Sequence, residues 1–351
     1  MEYKNATPSG HSQSGKVGVL ITNLGSPDAP AKKALIPYLK QFLWDPRVVE
    51  LPRLIWWFVL NLVILRVRPS ASAAAYKKVW TEQGAPLKKN TIEQARALGV
   101  ALKKKWGDRV ELDWAMRYGQ PSIEHKVQEM MNKGVDKLVV LPLYPQYAAA
   151  TTASTFDAIA NDFCRRRWIP ELRFVTSYHD NPLYIEALAK SVEQHWSEFG
   201  RAQKLVLSYH GIPVKYVQRG DPYQNQCYKT SSLLVERLGL KEDEYMITFQ
   251  SRLGREEWLR PYIDETMRAL PEKGVRSVQV MCPGFSADCL ETVEEIAEEN
   301  REYFLESGGE RFEYISALNA RSEHITALAA LVEANMSGWL DANLTDQHCE
   351  N

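Results

Sequence analysis

Short runs of β-branched and other apolar residues alternate with segments of helical periodicity along almost the whole chain. The runs with the length of strands are 17–23, 110–116, 137–143, 172–176, 204–208, 245–250 and 277–282. Helical patterns lie between most of them, at 121–133, 182–199, 229–238, 256–269 and 289–307. Strands that alternate with helices at this spacing pair in parallel, because each helix returns the chain to the starting edge of the sheet. The sequence therefore predicts an α/β fold with helices on both faces of parallel sheets.

The strand–helix pattern runs twice, which predicts two domains. A length of 351 residues agrees with this number, since a typical domain has about 150 residues. We expect a flexible polar tail at 1–16, a first domain formed by 17–176 together with 321–340, and a second domain formed by 177–320. The two halves share no sequence repeat, so any duplication is one of architecture.

Charge and missing motifs exclude several classes of protein. The 43 Lys and Arg residues nearly balance 44 Asp and Glu residues, whereas a protein that coats nucleic acid needs a basic excess. The five cysteines form no CxxC pair, which is typical of a reducing compartment. Neither a GxGxxG nor a GxxxxGK[ST] motif is present, so no nucleotide cofactor is expected. The polar N-terminus lacks the apolar segment of an export signal, which favours a cytoplasmic location.

The longest apolar run is LIWWFVLNLVIL at 54–65, which we call the lip. Its roughly twelve residues are fewer than the roughly 20 that span a bilayer, so we do not expect a transmembrane helix. Two interpretations remain open: a buried core helix, or an exposed apolar surface that faces an apolar ligand or a membrane. Arg66 and Arg68 follow the lip directly, which is typical of a boundary between apolar and aqueous surroundings.

Polar and aromatic residues follow three of the predicted strands. Tyr144 comes directly after 137–143, His210 lies two residues after 204–208, and the loop 283–288 follows 277–282 and ends in Asp288. In α/β sheets, ligands bind beyond the carboxyl ends of the strands. These loops are therefore the expected walls of a binding site.

A line of acidic residues begins just after the last of these loops. Asp288 is a candidate N-cap of the next helix, in which Glu291 and Glu295 lie four residues apart on one face and Glu299 extends the line. Imidazole and carboxylate together bind Fe²⁺ or another divalent metal, and both accept protons near neutral pH. The simpler explanations are a solvated acidic helix face and a loop histidine with a satisfied hydrogen bond.

Seven motifs of this chain, in the same order, resemble those of the ferrochelatases, which insert ferrous iron into protoporphyrin IX to make haem. The resemblance is closest to the proteobacterial type and covers about 17–335 of this chain. The motifs are LITNLGSPDAP (20–30), AMRYGQP (115–121), LPLYPQYAAATT (141–152), SYHGIP (208–213), RGDPY (219–223), FQSRLGREEWLRP (249–261) and PGFSADCLETVEEI (283–296).

The resemblance implies two Rossmann-like domains with the active-site cleft between them. It assigns catalysis and transient metal binding to His210 and Glu291, and a proton or metal relay to Asp288, Glu295 and Glu299. The residues expected to bind the porphyrin are Leu24, Arg66, Arg68, Arg117, Tyr118, Tyr144 and Trp258. Whether iron reaches the ring from the His210 side or from the side of Arg117 stays open.

The same resemblance defines the expected ligands. Fe²⁺ is a substrate, and no cofactor is permanently bound. The [2Fe–2S] cluster of the animal enzymes is not expected, because one ligand position is Ala149 and the C-terminus offers only Cys349. Cys289 stands where the animal enzymes have a histidine.

The sequence leaves alternatives open for the substrate and for the cellular location. Coproporphyrin III or sirohydrochlorin could replace protoporphyrin IX as the substrate, and a non-catalytic two-domain haem-binding protein is a further possibility. The lip adds peripheral contact with the inner membrane as an option beside a cytoplasmic location, and the oligomeric state is open.

Overall fold

Two parallel four-stranded sheets form the framework of the protein, which a computed structural model describes for residues 15–254 and 256–340. The first sheet consists, in chain order, of β1 (Lys16–Gly25), β2 (Val110–Tyr118), β3 (Val135–Pro142) and β4 (Glu171–Phe174). The second consists of β5 (Lys204–His210), β6 (Tyr245–Gln250), β7 (Ser277–Met281) and β8 (Arg311–Ile315). Their spatial orders are β2-β1-β3-β4 and β6-β5-β7-β8, and every pairing between these strands is parallel. The predicted α/β fold is confirmed.

Helices cover both faces of the sheets. They are α1 (Lys32–Trp44), α2 (Arg53–Val79), α3 (Pro86–Trp106), α4 (Ile123–Asn132), α5 (Ser154–Phe163), α6 (Pro182–Phe199), α7 (Val214–Gln218), α8 (Tyr223–Leu238), α9 (Ile263–Ala269), α10 (Arg301–Glu306) and α11 (Ser322–Met336). Three π-helical segments interrupt or precede them: Leu60–Ile64 within α2, Ala149–Ala153 before α5, and Glu291–Asn300 before α10. Such wide turns are frequent at functional sites.

The two sheets share one central hydrophobic core. Alternate residues of a strand point to opposite faces, so Val19 and Ile21 of β1 enter the central core, while Leu20 enters an outer core of the first sheet. In the same way Leu207 of β5 enters the central core and Val206 an outer core of the second sheet. The carboxyl ends of both sheets are therefore held on one continuous packed interior.

The sequence located the strands well and some helices less well. Each predicted strand is present within a few residues of its expected bounds, and β8 is an additional strand that completes the second sheet. The helix predicted at 256–269 is wrong in its first half, because α9 begins at Ile263. Pro261 explains this, since a proline disfavours helical geometry in the residue before it.

The predicted domain boundaries stay a prediction. Most of the expected flexible tail, residues 1–14, lies outside the described residues. The final helix α11 packs against both α3 and α6, so it contacts elements on either side of the predicted boundary at 176.

The lip belongs to a helix that is much longer than the apolar run. Helix α2 has 27 residues because the alanine-rich stretch after the lip continues it. By length and composition alone α2 could cross a membrane, so the length of the apolar run at 54–65 does not by itself exclude this, and the expectation of no transmembrane helix stays a prediction. One face of the helix packs inward, since Trp56 is buried with its Nε1 donating to the Leu43 carbonyl at 2.7 Å, and Leu60 is fully buried.

The outer face of α2 is exposed. Only 22% of its most apolar 18-residue stretch is buried. The large exposed side chains of α2 are Leu54, Ile55, Trp57, Phe58, Leu62, Val63 and Val67. The interpretation of the lip as an ordinary buried core helix is therefore wrong for this face.

Candidate active site

His210 is the last residue of β5, at the carboxyl end of the second sheet. It is half-buried and lies opposite Gln250, the last residue of the neighbouring strand β6. Its Nδ1 lies 2.6 Å from the carbonyl oxygen of Gly211. A carbonyl only accepts, so Nδ1 carries a proton, and the neutral form of the ring has its lone pair on Nε2. This nitrogen is free to take a proton or bind a metal ion.

Trp258 covers one side of the histidine. The two ring centroids are 6.4 Å apart at an interplanar angle of 49°. A side chain at Gly211 would come within 3.2 Å of the Trp258 ring and 3.0 Å of the Gln250 carbonyl, so glycine permits this close packing. The buried indole Nε1 has no hydrogen-bond partner among the described residues, which makes it a donor for a ligand.

Gln250 connects the histidine strand to the acidic helix. Its Nε2 donates to the Glu291 carbonyl oxygen at 3.0 Å and to Glu295 Oε2 at 3.4 Å. Its Oε1 accepts from Ser208 Oγ at 2.8 Å, which fixes the orientation of the amide. Because Gln250 also pairs with His210 across the sheet, the structure brings the histidine and the first acids of the line to one end of the second sheet.

Glu295 is a half-buried glutamate whose carboxyl has a strongly shifted pKa. Burial raises the pKa of Glu295 to about 7, and the nearby charge of Glu291 adds to the shift. Hydrogen bonds from Ser251 act in the opposite direction: its N–H donates to Oε1 at 2.7 Å and its hydroxyl donates to Oε2. Burial also raises the pKa of Glu299, with a further contribution from Glu294. Such carboxyls exchange protons closer to neutral pH than ordinary glutamates do.

Glu291 lines a small pocket between the two halves of the chain. Leu24, at the end of β1, lines this pocket from the first half. Burial lowers the pKa of the half-buried Arg68, while Glu291 acts to raise it, so this cation lies within electrostatic reach of the pocket. The remaining side chains of the wall include Tyr38, Tyr76, Leu87, Cys289 and Leu290.

Cys289 lies in this wall as a protonated thiol. Burial raises its pKa well above the ordinary value, and the adjacent charge of Glu291 raises it further. A buried neutral thiol is a poor base and a poor ligand for Fe²⁺. Because this thiol keeps its own proton, Cys289 is not available to accept one near neutral pH.

Asp288 does not cap the acidic helix. The helical hydrogen bonds begin further along, and the Asp288 carboxylate is bound instead by groups after β7: Tyr314 Oη at 2.7 Å, Asn319 Nδ2 at 2.7 Å and Thr292 Oγ1 at 3.1 Å. The predicted N-cap is wrong, because Leu290 holds the N-cap position and the helix has no side-chain cap; Thr292 in the first turn bonds Asp288 through its hydroxyl. The relay role of Asp288 stays a prediction, and this geometry favours holding the loop in place.

The expected porphyrin-binding residues of the first half differ in burial and in hydrogen bonding. Arg117 and Tyr118 end β2 and both bind Asp45, at 2.6 and 2.9 Å; Tyr118 is fully buried. The Tyr144 hydroxyl is buried without a partner among the described residues. Arg66 is exposed, and the structure does not bring it to the pocket.

Several residues of the site were not predicted from the sequence. Gln250 ends a predicted strand and Ser251 follows it, so the strand-end rule that indicated His210 would also have found them. Asp45, Tyr38 and Tyr76 lie in or beside helices far from any strand end, and no local pattern indicates them. Within the described part of the chain, no group of three or more His, Cys, Asp or Glu side chains is arranged to hold a metal ion.

Two parallel sheets with a histidine and a line of carboxyls at one carboxyl-end cleft define a chelatase-type protein. The sirohydrochlorin chelatase SirB from Bacillus subtilis subspecies spizizenii, in complex with cobalt, shares this fold with a TM-score of 0.51. That chain is 13% identical, and the match covers 91% of this chain and 94% of the other.

Sequence comparison identifies the family. The ferrochelatase family model matches residues 16–336. The ferrochelatase of Idiomarina loihiensis is 64% identical over 347 residues, covering 99% of this chain and 95% of the relative. That of Marinobacter nauticus is 60% identical over 339 residues, covering 97% and 92%. The chain belongs to the ferrochelatase family; it is a porphyrin metal chelatase that inserts ferrous iron into protoporphyrin in haem synthesis.

Proposed function

We propose that His210 is the base that removes the pyrrole protons of protoporphyrin IX. A free porphyrin carries two N–H protons in the hole that the metal must occupy. Bending the ring exposes nitrogen lone pairs, and binding energy from the ring edges can drive this distortion. The observation that carries the proposal is the hydrogen bond from Nδ1 to Gly211, which leaves Nε2 as the acceptor.

Protons leave along the acidic helix. Glu291 lies next to the histidine strand through Gln250, and Glu295 and Glu299 continue the line. The raised pKa of Glu295, about 7, allows it both to accept and to release a proton near neutral pH. Asp288 holds the loop that precedes Glu291 and supports this line through its three side-chain partners.

Ferrous iron is a substrate that His210 and Glu291 hold briefly. Imidazole and carboxylate are suitable ligands for Fe²⁺, and two protein ligands bind a metal less tightly than a closed four-ligand site. Entry from the side of Arg117 is the alternative route. A KM for Fe²⁺ that rises in Glu291→Gln but not in Arg117→Gln would favour entry on the histidine side.

The porphyrin is held by apolar, aromatic and cationic groups of both halves. Trp258 and Leu24 supply apolar surface, and the half-buried Arg68 supplies a cation for a ring carboxylate. Arg117 and Tyr144 lie at the ends of the first sheet. Arg66 is exposed, so any contact with a carboxylate would be at the rim of the cleft.

No iron–sulfur cluster accompanies this chemistry. Ala149, at the start of a π-helical segment, provides no thiolate where the animal enzymes have a cluster ligand. Cys349, the other residue of this prediction, lies outside the described residues.

The outer face of α2 contacts a membrane peripherally, and the protein otherwise resides in the cytoplasm. Its exposed side chains form an apolar stripe, while Trp56 and Leu60 on the opposite face are packed into the protein. The doubly substituted Leu54→Ser/Phe58→Ser protein should float less with phosphatidylglycerol–phosphatidylethanolamine vesicles than the wild type. Phe199→Ser, which removes an exposed aromatic residue elsewhere, is the matched control.

The decisive experiment compares two porphyrins. Purified protein is incubated anaerobically with Fe²⁺ and either protoporphyrin IX or coproporphyrin III, and haem formation is followed by absorbance. We expect turnover with protoporphyrin IX and its loss in His210→Ala. Preferential use of coproporphyrin III would change the substrate, and unchanged turnover in His210→Ala would refute the assignment of the base.

A further inference from the structure

Asp45 gathers three side-chain donors on one carboxylate oxygen. The residue follows α1 directly and is 7% exposed. Its Oδ2 accepts from Arg117 Nη2 at 2.6 Å, from Ser154 Oγ at 2.7 Å and from the Tyr118 hydroxyl at 2.9 Å. Its Oδ1 accepts from the backbone N–H of Arg47 at 2.8 Å. A buried carboxylate with this many donors is held in one orientation and holds its donors in return.

The guanidinium of Arg117 is fixed on two of its three nitrogens. Nη2 is bound by Asp45, and Nε donates to Ser154 at both its carbonyl oxygen, 2.8 Å away, and its hydroxyl, 2.6 Å away. The guanidinium carbon also lies 4.5 Å from the centre of the Tyr118 ring. Among the described residues Nη1 has no partner, so its two N–H groups are the part of Arg117 available to a ligand.

Tyr118 is occupied entirely by this network. Its hydroxyl donates to Asp45 and lies 2.9 Å from Ser154 Oγ, and the side chain is fully buried. It therefore has no surface with which to contact a substrate in this structure. Its effect on the site passes through Asp45 and through stacking on Arg117.

The backbone of Asp45 also holds the chain that leads into α2. Its carbonyl oxygen accepts from the N–H groups of Val48 and Val49, each at 3.0 Å. One residue thus binds the end of β2 through its side chain and the approach to the lip through its main chain.

We propose that Asp45 is a positioning residue for porphyrin binding, which holds Arg117 with Nη1 toward the ligand and fixes the segment at which the lip begins. The proposal rests on the proposed function in one respect, since it takes Arg117 as a porphyrin contact. Asp45 touches neither substrate, and its loss acts through Arg117. Binding that is equally strong in the ground state and the transition state appears in KM rather than in kcat.

The test is Asp45→Asn, which keeps the shape of the side chain and removes its charge. We expect the KM for protoporphyrin to rise about tenfold, with kcat and the KM for Fe²⁺ changed by less than about twofold. Fluorescence titration with protoporphyrin, without iron, should show the same weakening. The matched control is Asp157→Asn. It removes the charge of a carboxylate that accepts from Arg47 Nε at 2.8 Å, two residues along the chain from Asp45, and it should leave all three constants unchanged.

Each result either supports the proposal or overturns it. An unchanged porphyrin KM in folded Asp45→Asn overturns it, and so does an equal loss in Asp157→Asn. If Asp45→Asn does not fold, Tyr118→Phe decides: a raised porphyrin KM supports the network, and an unchanged KM refutes it. Failure of the proposed function is separately visible, because Arg117→Gln would then leave the KM for protoporphyrin unchanged, whereas a raised KM in Arg117→Gln with an unchanged KM in Asp45→Asn overturns only the role of Asp45.

Discussion

Replacing Glu295 with glutamine should make the protein more stable at pH 8 but not at pH 5. Burial raises the pKa of Glu295 from 4.5 to about 7, so the folded state binds this proton more tightly than the unfolded state. Between about pH 4.5 and 7 the folded protein therefore holds more protons, and its free energy of unfolding falls as the pH rises through this window. The shift corresponds to about 3 kcal/mol, which the ionised wild type has lost above pH 7.

Glutamine removes this ionisation but not all of the contacts. The Ser251 N–H and hydroxyl can still form hydrogen bonds with the amide of glutamine. Gln250 Nε2, however, donates to Glu295 Oε2 and loses this acceptor when an amide nitrogen takes the place of that oxygen. Discounting the 3 kcal/mol for this loss, we expect Glu295→Gln to be more stable by about 1–2 kcal/mol at pH 8. The difference should vanish or change sign near pH 5, where the wild-type carboxyl is protonated.

Urea unfolding at pH 5, 6, 7 and 8, followed by tryptophan fluorescence, measures this difference. Glu302→Gln, an exposed glutamate of α10, is the control and should differ from the wild type by less than about 0.5 kcal/mol throughout. The activity of Glu295→Gln should also lose the inflection near pH 7 that a relay through this carboxyl produces. A stability difference that does not depend on pH would refute the reasoning, because it would mean that Glu295 does not titrate in this range.

Four further predictions address the remaining parts of the site. His210→Ala should lower turnover about 10²–10⁴-fold with little change in melting temperature, and retention of more than a third of the activity would contradict its role as the base. Glu291→Gln should be impaired to a similar degree and Glu299→Gln less so; equal losses in a steady-state assay would argue against an ordered proton line. Trp57→Ser tests the expectation that the lip also faces the apolar edge of the porphyrin. The side chain is 46% exposed, so the change should weaken porphyrin binding by fluorescence without lowering the melting temperature much, and unfolding would show that the residue is structural. The purified protein should contain no acid-labile sulfide, and a stoichiometric amount would establish a cluster.

The sequence was sufficient where structure follows from local pattern. Parallel strands have strong apolar runs because they are buried on both faces, and ligands bind at their carboxyl ends, so His210 and the loop before Glu291 could be located from spacing. The acids of the line were visible for the same reason.

Features that depend on distant contacts could not be predicted in this way. The spacing placed Asp288 before a helix, but Tyr314 and Asn319, some 26 and 31 residues later, determine what it binds. No local pattern indicates Asp45, because its partners Arg117 and Tyr118 lie at a strand end that is more than 70 residues away in the chain. The length of α2 was underestimated because an apolar run ends where polarity changes, whereas a helix ends where its backbone pattern ends.

The central core that both sheets share determines how stiff the cleft is. Two lobes joined by a flexible linker would yield when a flat ring is pressed between them, and the elastic energy would be stored in the protein. Here the strands that carry the two walls are packed on a single dense interior, which has low compressibility. A porphyrin ring bound there would be the softer body, so binding energy at the ring edges would bend the ring rather than deform the protein.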